Sequence, residues 1–152
     1  MTDYDVAIIG GGPAGLSAAL MLGRCRRRVI LLDHDKPRNR AAVEMHGYLG
    51  HDGVTPSKLR ELGRRECEKY GVEFASAEVT DVRLRNDDPS EFELQAARRP
   101  PLRSRKLLLA TGVKDVLPEI EHIADFYGKS VHHCPYCDGW EHRDKRLAAL
   151  GE

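Results

Sequence analysis

The chain has no surplus of charge: 24 Lys and Arg stand against 24 Asp and Glu. That balance excludes a nucleic-acid or membrane partner held by bulk electrostatics. Aromatic residues are few, and there are only four cysteines, too few and too scattered for a disulfide framework. No secretory signal is visible, because Asp3 and Asp5 stand where a signal would carry positive charge. The one long uncharged run, Val6 to Gly23, is interrupted by three glycines and Pro13. A strand, a turn and a helix are expected there rather than a membrane span. Repeats and low-complexity tracts are absent. The expectation is a cytoplasmic protein. Its 152 residues suffice for one core but not for two nucleotide-binding domains.

What is present starts with Tyr4 to Ile9, a short apolar run that reads as a buried strand. Gly10-Gly11-Gly12-Pro13-Ala14-Gly15 follows, then a helix from Leu16 to Leu22. Gly10, Gly12 and Gly15 fit the spacing G-x-G-x-x-G. The first glycine permits the tight turn, the second admits a pyrophosphate, and the third lets helix and strand pack closely. Pro13 suits the first helical turn, where its missing N–H is no loss. Val29 to Leu32 reads as the next strand, and Asp33 ends it, 18 positions after Gly15. A carboxylate at about that offset meets a ribose 2′-hydroxyl. Strand, turn, helix and acid together predict a dinucleotide site. Asp35 is a rival for the ribose contact but reads as a surface charge. Arg24, Arg26, Arg27 and Arg28 read as the solvated end of a helix.

Lys36 to Pro56 is expected to be a loop, either an exposed connection or one folded against the cofactor. Thr55-Pro56-Ser57 starts a helix to about Tyr70, and Val72-Glu73-Phe74 reads as a third strand. Val79 to Arg85 and Phe92 to Ala96 alternate around Asn86-Asp87-Asp88-Pro89 and read as a hairpin. Arg98 to Arg105 reads as a turn or short edge strand, and Lys106 to Gly112 as a buried strand. Ala110, Thr111 and Gly112 are small enough to let main chain pass close to a ligand. Cys25 and Cys67 are expected as small core residues.

The run His132-His133-Cys134-Pro135-Tyr136-Cys137-Asp138-Gly139-Trp140 carries the second chemistry. Two cysteines separated by two residues can close a ring that opens on two-electron reduction. Asp138 directly after the pair is placed to move the proton such exchange needs. A zinc site with His132, His133 or His142 is the rival reading. No second cysteine pair supports it, and no metal is expected.

These residues resemble the thioredoxin reductase family of flavoproteins, specifically the low-molecular-weight bacterial type and its thioredoxin-reductase-like relatives. The resemblance rests on Gly10-Gly11-Gly12-Pro13-Ala14-Gly15 with Ala19, Asp33, Ala110-Thr111-Gly112, and Cys134-Pro135-Tyr136-Cys137-Asp138-Gly139, in that order. It implies an α/β Rossmann-type FAD-binding domain, with a parallel sheet, helices on both faces and an inserted antiparallel β-meander. It implies electrons passing from NADPH to FAD, then to the cysteine pair, then to a disulfide substrate. That substrate would be a thioredoxin-like protein or a small-molecule disulfide. Gly10, Gly12, Pro13, Ala14, Gly15, Asp33, Ala110, Thr111 and Gly112 would bind FAD. Cys137 would lie nearer the flavin, Cys134 would attack the substrate, and Asp138 would be acid and base. Relatives form homodimers. The expected division is 1–115 for the FAD-binding part, 116–145 for the connection carrying the pair, and 146–152 for the first strand of an NADPH-binding domain. On that reading the chain is the N-terminal half of a reductase. Two alternatives are a non-catalytic FAD-binding remnant and a dithiol oxidase acting on a small-molecule thiol.

Overall fold

The computed structural model describes residues 2–151; Met1 and Glu152, at the outer edges of the expected first and last segments, lie outside the described residues. Six strands form one mixed sheet: β1 (Tyr4–Ile9), β2 (Val29–Asp33), β3 (Glu73–Ser76), β4 (Val79–Leu84), β5 (Phe92–Ala96) and β6 (Leu102–Leu109). Their order is β3-β2-β1-β6-β5-β4. The four strands β3, β2, β1 and β6 pair in parallel, while β6-β5-β4 is an antiparallel meander. Ile8 lies opposite Leu31 on one side and Leu108 on the other. The expected α/β Rossmann-type architecture is what the chain forms.

Two helices of more than two turns supply one covering layer, α1 (Pro13–Arg24) and α2 (Pro56–Glu68). Thr55 caps α2 by accepting the Lys58 N–H at 3.2 Å, and Pro56 takes the N1 position. Leu16 and Ala19 of α1 and Cys67 of α2 pack with Ile8, Val29, Leu31 and Val72. The opposite face of the same strands presents Ala7, Ile30, Leu32 and Ala75. There the meander curls back, and Leu94, Ala96 and Leu102 cover it where a second helix layer was expected. Because side chains alternate across a strand, the continuous apolar run of β2 is buried on both faces. Each large aliphatic side chain so buried stabilises the fold by roughly 1.5–3 kcal/mol.

Three local expectations need correction. Arg98–Arg105 and Lys106–Gly112 are not a turn followed by a strand: one strand, β6, runs from Leu102 to Leu109. Leu102 and Ser104 point inward and pair with Leu94 and Phe92, so the strand starts as soon as Pro100 and Pro101 are past. Its far end is not buried, with Leu109 67 % exposed. Cys25 is exposed rather than in the core, because it caps the C-terminus of α1 at the rim of the sheet. The strand expected from Arg146 onward is not formed: residues 146–151 are irregular and exposed. The short elements α3 (Ile123–Phe126) and α4 (Pro135–Asp138) complete the described secondary structure, with a 3₁₀ turn at Arg38–Ala41.

Candidate functional site

The glycine turn sits at the C-terminal ends of the parallel strands, where an open α/β sheet receives its ligands. Gly10 donates its N–H to the Leu32 carbonyl at 2.8 Å, and Ala110 donates to the Ile9 carbonyl at 2.8 Å. Gly10 has φ +111°, and a Cβ there would overlap the Ala110 carbonyl oxygen. A Cβ at Gly15 would overlap the Gly10 carbonyl oxygen in turn. The ends of β1, β2 and β6 are therefore drawn together through backbone alone. At Gly12 the opposite holds, since nothing lies within 4 Å of the place a Cβ would take. The first bond of α1 runs from the Leu16 N–H to the Gly12 carbonyl at 3.0 Å. The N–H groups of Ala14 and Gly15 precede it and are free to meet an anion. Thr111 and Gly112 follow Ala110 on exposed backbone.

Asp33 ends β2 beneath this turn, 9 % exposed. Its Oδ2 accepts from Arg60 Nη2 at 2.6 Å, and its Oδ1 from the Asp35 N–H at 3.2 Å. A carboxylate has about four acceptor sites, so room for a hydroxyl donor remains. Arg60 also reaches Asp35 at 2.8 Å and the Gly11 carbonyl at 3.4 Å. That hydrogen bond and charge hold the exposed Asp35 carboxyl below its ordinary range. Arg60 escaped the sequence reading because it meets Asp33 across 27 positions, a separation with no periodic signature.

The second constellation lies on α4. Cys134 is its N-cap and Pro135 its first residue, and the Cys137 N–H returns to the Cys134 carbonyl at 3.2 Å. One helical turn thus brings the two sulfurs together, and they form a disulfide. Cys134 is half-buried and Cys137 exposed in this chain. Asp138, also half-buried, has Oδ2 3.6 Å from His132 Nδ1. His132 Nε2 lies 2.9 Å from His142 Nε2. His133 turns elsewhere, to the Tyr127 hydroxyl at 2.8 Å. Among the described residues no group of three or more His, Cys, Asp or Glu side chains is arranged to hold a metal.

The loop from Lys36 to Pro56 folds against this segment rather than merely connecting. Arg38 grips Asp115 through Nε at 2.9 Å and Nη2 at 2.6 Å, and His46 lies 3.6 Å from Glu141. Hydrogen bonds from Arg38 and Tyr127 bring the Asp115 carboxyl down to about 2. Tyr127 is pushed up to about 12 by desolvation and by the Asp115 carboxylate. Arg38 meets Asp115 across 77 positions, a separation that leaves no periodic trace in the sequence.

A glycine turn at the C-terminal ends of the parallel strands and a disulfide on a later helical turn are the two parts the resemblance joined. The sequence profile of the pyridine nucleotide-disulphide oxidoreductase family matches residues 4–151. The chain belongs to this family. Within it, the chain is 38 % identical to a probable thioredoxin reductase of Arthroderma benhamiae, covering 97 % of this chain and 38 % of the relative. It is 40 % identical to thioredoxin reductase tcpT of Claviceps purpurea, over 96 % of this chain and 46 % of that one. The crystal structure of HlmI superposes with a TM-score of 0.90 at 42 % identity, covering 95 % of this chain and 46 % of that one. The chain therefore spans less than half the length of each of these three relatives. Among its described residues no helix is long and apolar enough to cross a membrane.

Proposed function

We propose that the chain forms the FAD-binding and disulfide-carrying part of a thioredoxin-reductase-like disulfide oxidoreductase. The observation that carries this reading is the Cys134–Cys137 disulfide on one helical turn, in a chain whose glycine turn is open at Gly12. The residues present fit the cofactor. Gly10, Gly12, Pro13, Ala14 and Gly15 would hold its pyrophosphate, Asp33 its ribose, and Ala110, Thr111 and Gly112 would line its approach. FAD bound there supplies the two-electron chemistry that side chains lack. NADPH is the electron donor of the whole protein, which acts as a homodimer. Residues 116–145 are the connection that carries the pair.

The chain's own residues do the rest. Opening the disulfide takes two electrons and two protons and leaves two thiols. The thiolate of Cys134 then attacks a substrate disulfide, releasing one substrate thiolate and leaving a mixed disulfide that Cys137 resolves. Asp138 holds and moves a proton at its carboxylate beside Cys137. The substrate is a thioredoxin-like protein or a small-molecule disulfide.

Titrating the purified chain with FAD, followed by flavin absorbance and fluorescence, tests the reading. Saturable binding that Gly12→Asp abolishes is the expected result. A chain that takes up no flavin while keeping its disulfide and fold overturns it.

A further inference from the structure

The Tyr127 hydroxyl has one hydrogen and two neighbours. It donates to Asp115 Oδ2 at 2.6 Å, and His133 Nδ1 lies 2.8 Å from the same oxygen. Asp115 cannot be the donor, since Arg38 faces it through Nε and Nη2 and keeps it ionised. The Tyr127 O–H is therefore directed to Asp115, and the remaining contact requires His133 Nδ1–H to donate to the tyrosine oxygen. The tautomer of His133 is thereby set, which leaves Nε2 as the free acceptor of the ring. Tyr127 and His133 also stack, with ring centroids 5.7 Å apart. Among the described residues Nε2 has no hydrogen-bond partner. His133 is exposed and immediately precedes Cys134.

We propose that His133 takes up the Cys134 proton when the disulfide is reduced, and that Tyr127, Asp115 and Arg38 are positioning residues that hold its ring for that step. The S–H bond of Cys134 breaks and an N–H bond forms at Nε2, giving a thiolate and an imidazolium with no change in oxidation state. The Asp115 charge, passed through Tyr127, stabilises the imidazolium. The other titratable groups near the pair are Asp138 beside His132, His132 against His142, and Lys145 Nζ 3.2 Å from His142 Nδ1, and the Asp138 charge also reaches Tyr127. The imidazole and the carboxylate divide the protons, His133 serving Cys134 and Asp138 serving Cys137. This assignment rests on reading the two cysteines as the redox pair.

The test uses the full chain carrying Cys137→Ser, in which Cys134 stays a free thiol. Iodoacetamide alkylation of the Cys134 peptide is followed by mass from about pH 5 to about pH 9, within which thiols and imidazoles titrate. His133→Gln, an exposed substitution that leaves the core untouched, should slow alkylation near neutral pH by roughly tenfold. Tyr127→Phe should slow it by roughly threefold, on the same grounds. Nitrogen NMR of the unsubstituted chain should show His133 protonated at Nδ1, and Tyr127→Phe should mix the tautomers. A His133→Gln profile that superposes on the parent overturns the proposal, as does a Tyr127→Phe chain that keeps both the parent profile and the single tautomer. The assay needs no flavin. Failure to bind FAD therefore removes the functional reading alone, and an unmoved Cys134 profile removes this one alone.

Discussion

Strands β1 and β2 bury Ile8, Ile30, Leu31 and Leu32 to 1 % exposure or less, whereas no described residue from Val113 to Gly151 is buried. The first region is held by volume: two apolar clusters, one on each face of the sheet, fill the space between strands, helices and meander. The second is held by named contacts: the disulfide, Arg38 on Asp115, Tyr127 on Asp115 and His133, and His46 near Glu141. The glycine turn thus has a geometry that cannot shift without opening a core. The cysteine segment can move when a few polar contacts let go, which suits sulfurs that a substrate must approach.

The sharpest way to break that contrast is with the two free thiols. Cys67 is fully buried and burial pushes its thiol up, while Cys25 is exposed. Cys67 should label at least about a thousandfold more slowly than Cys25, since it waits for the core to open. Comparable labelling rates, read by mass, would mean the core is not closed. Next in size, Leu31→Ala should lower the unfolding free energy by about 2–5 kcal/mol in urea titration.

The turn itself separates stability from binding. Gly12→Ala meets open space in the fold, so the unfolding midpoint should stay put while FAD affinity drops about tenfold, close to 1.4 kcal/mol. A loss of stability equal to the loss of binding would show that Gly12 is structural.

In the cysteine segment the sensitive variable is pH. The Asp115 carboxyl lies near 2 in the fold against an ordinary 3.8, so its contribution is present above about pH 4 and lost as acid titrates it through about pH 2. Hydrogen exchange around Tyr127 should rise over that window, and Asp115→Asn should show the raised exchange already at neutral pH. Smallest of all, Val116→Ala at a 92 % exposed site should change stability by no more than about 0.5 kcal/mol. A larger cost would reveal packing in the second region.

Much of this was legible beforehand, and the reason is local. The turn of Gly10, Gly12 and Gly15, the acid at Asp33, the hairpin around Asn86 and the cap at Thr55 each depend on neighbours a few positions away. The boundary of β6 was not legible, because Arg103 and Arg105 on the exposed side of the strand look like a polar turn until Leu102 and Ser104 are seen to face Leu94 and Phe92. Cys25 was misplaced for a similar reason: its exposure depends on where α1 stops relative to the sheet, not on its own chemistry.

The amino-acid order by itself determined the strands β1 and β2, the glycine turn between β1 and α1, and a cysteine pair that one helical turn can close. These follow from spacing along the chain, which steric limits on the backbone translate directly into shape. Only the tertiary structure decided that Arg60 joins Asp33, that the meander covers the second face, and that Arg38, 77 positions away, holds Asp115. Contacts of that separation form when burial folds the sheet on itself, and no pattern along the chain encodes which charges then meet.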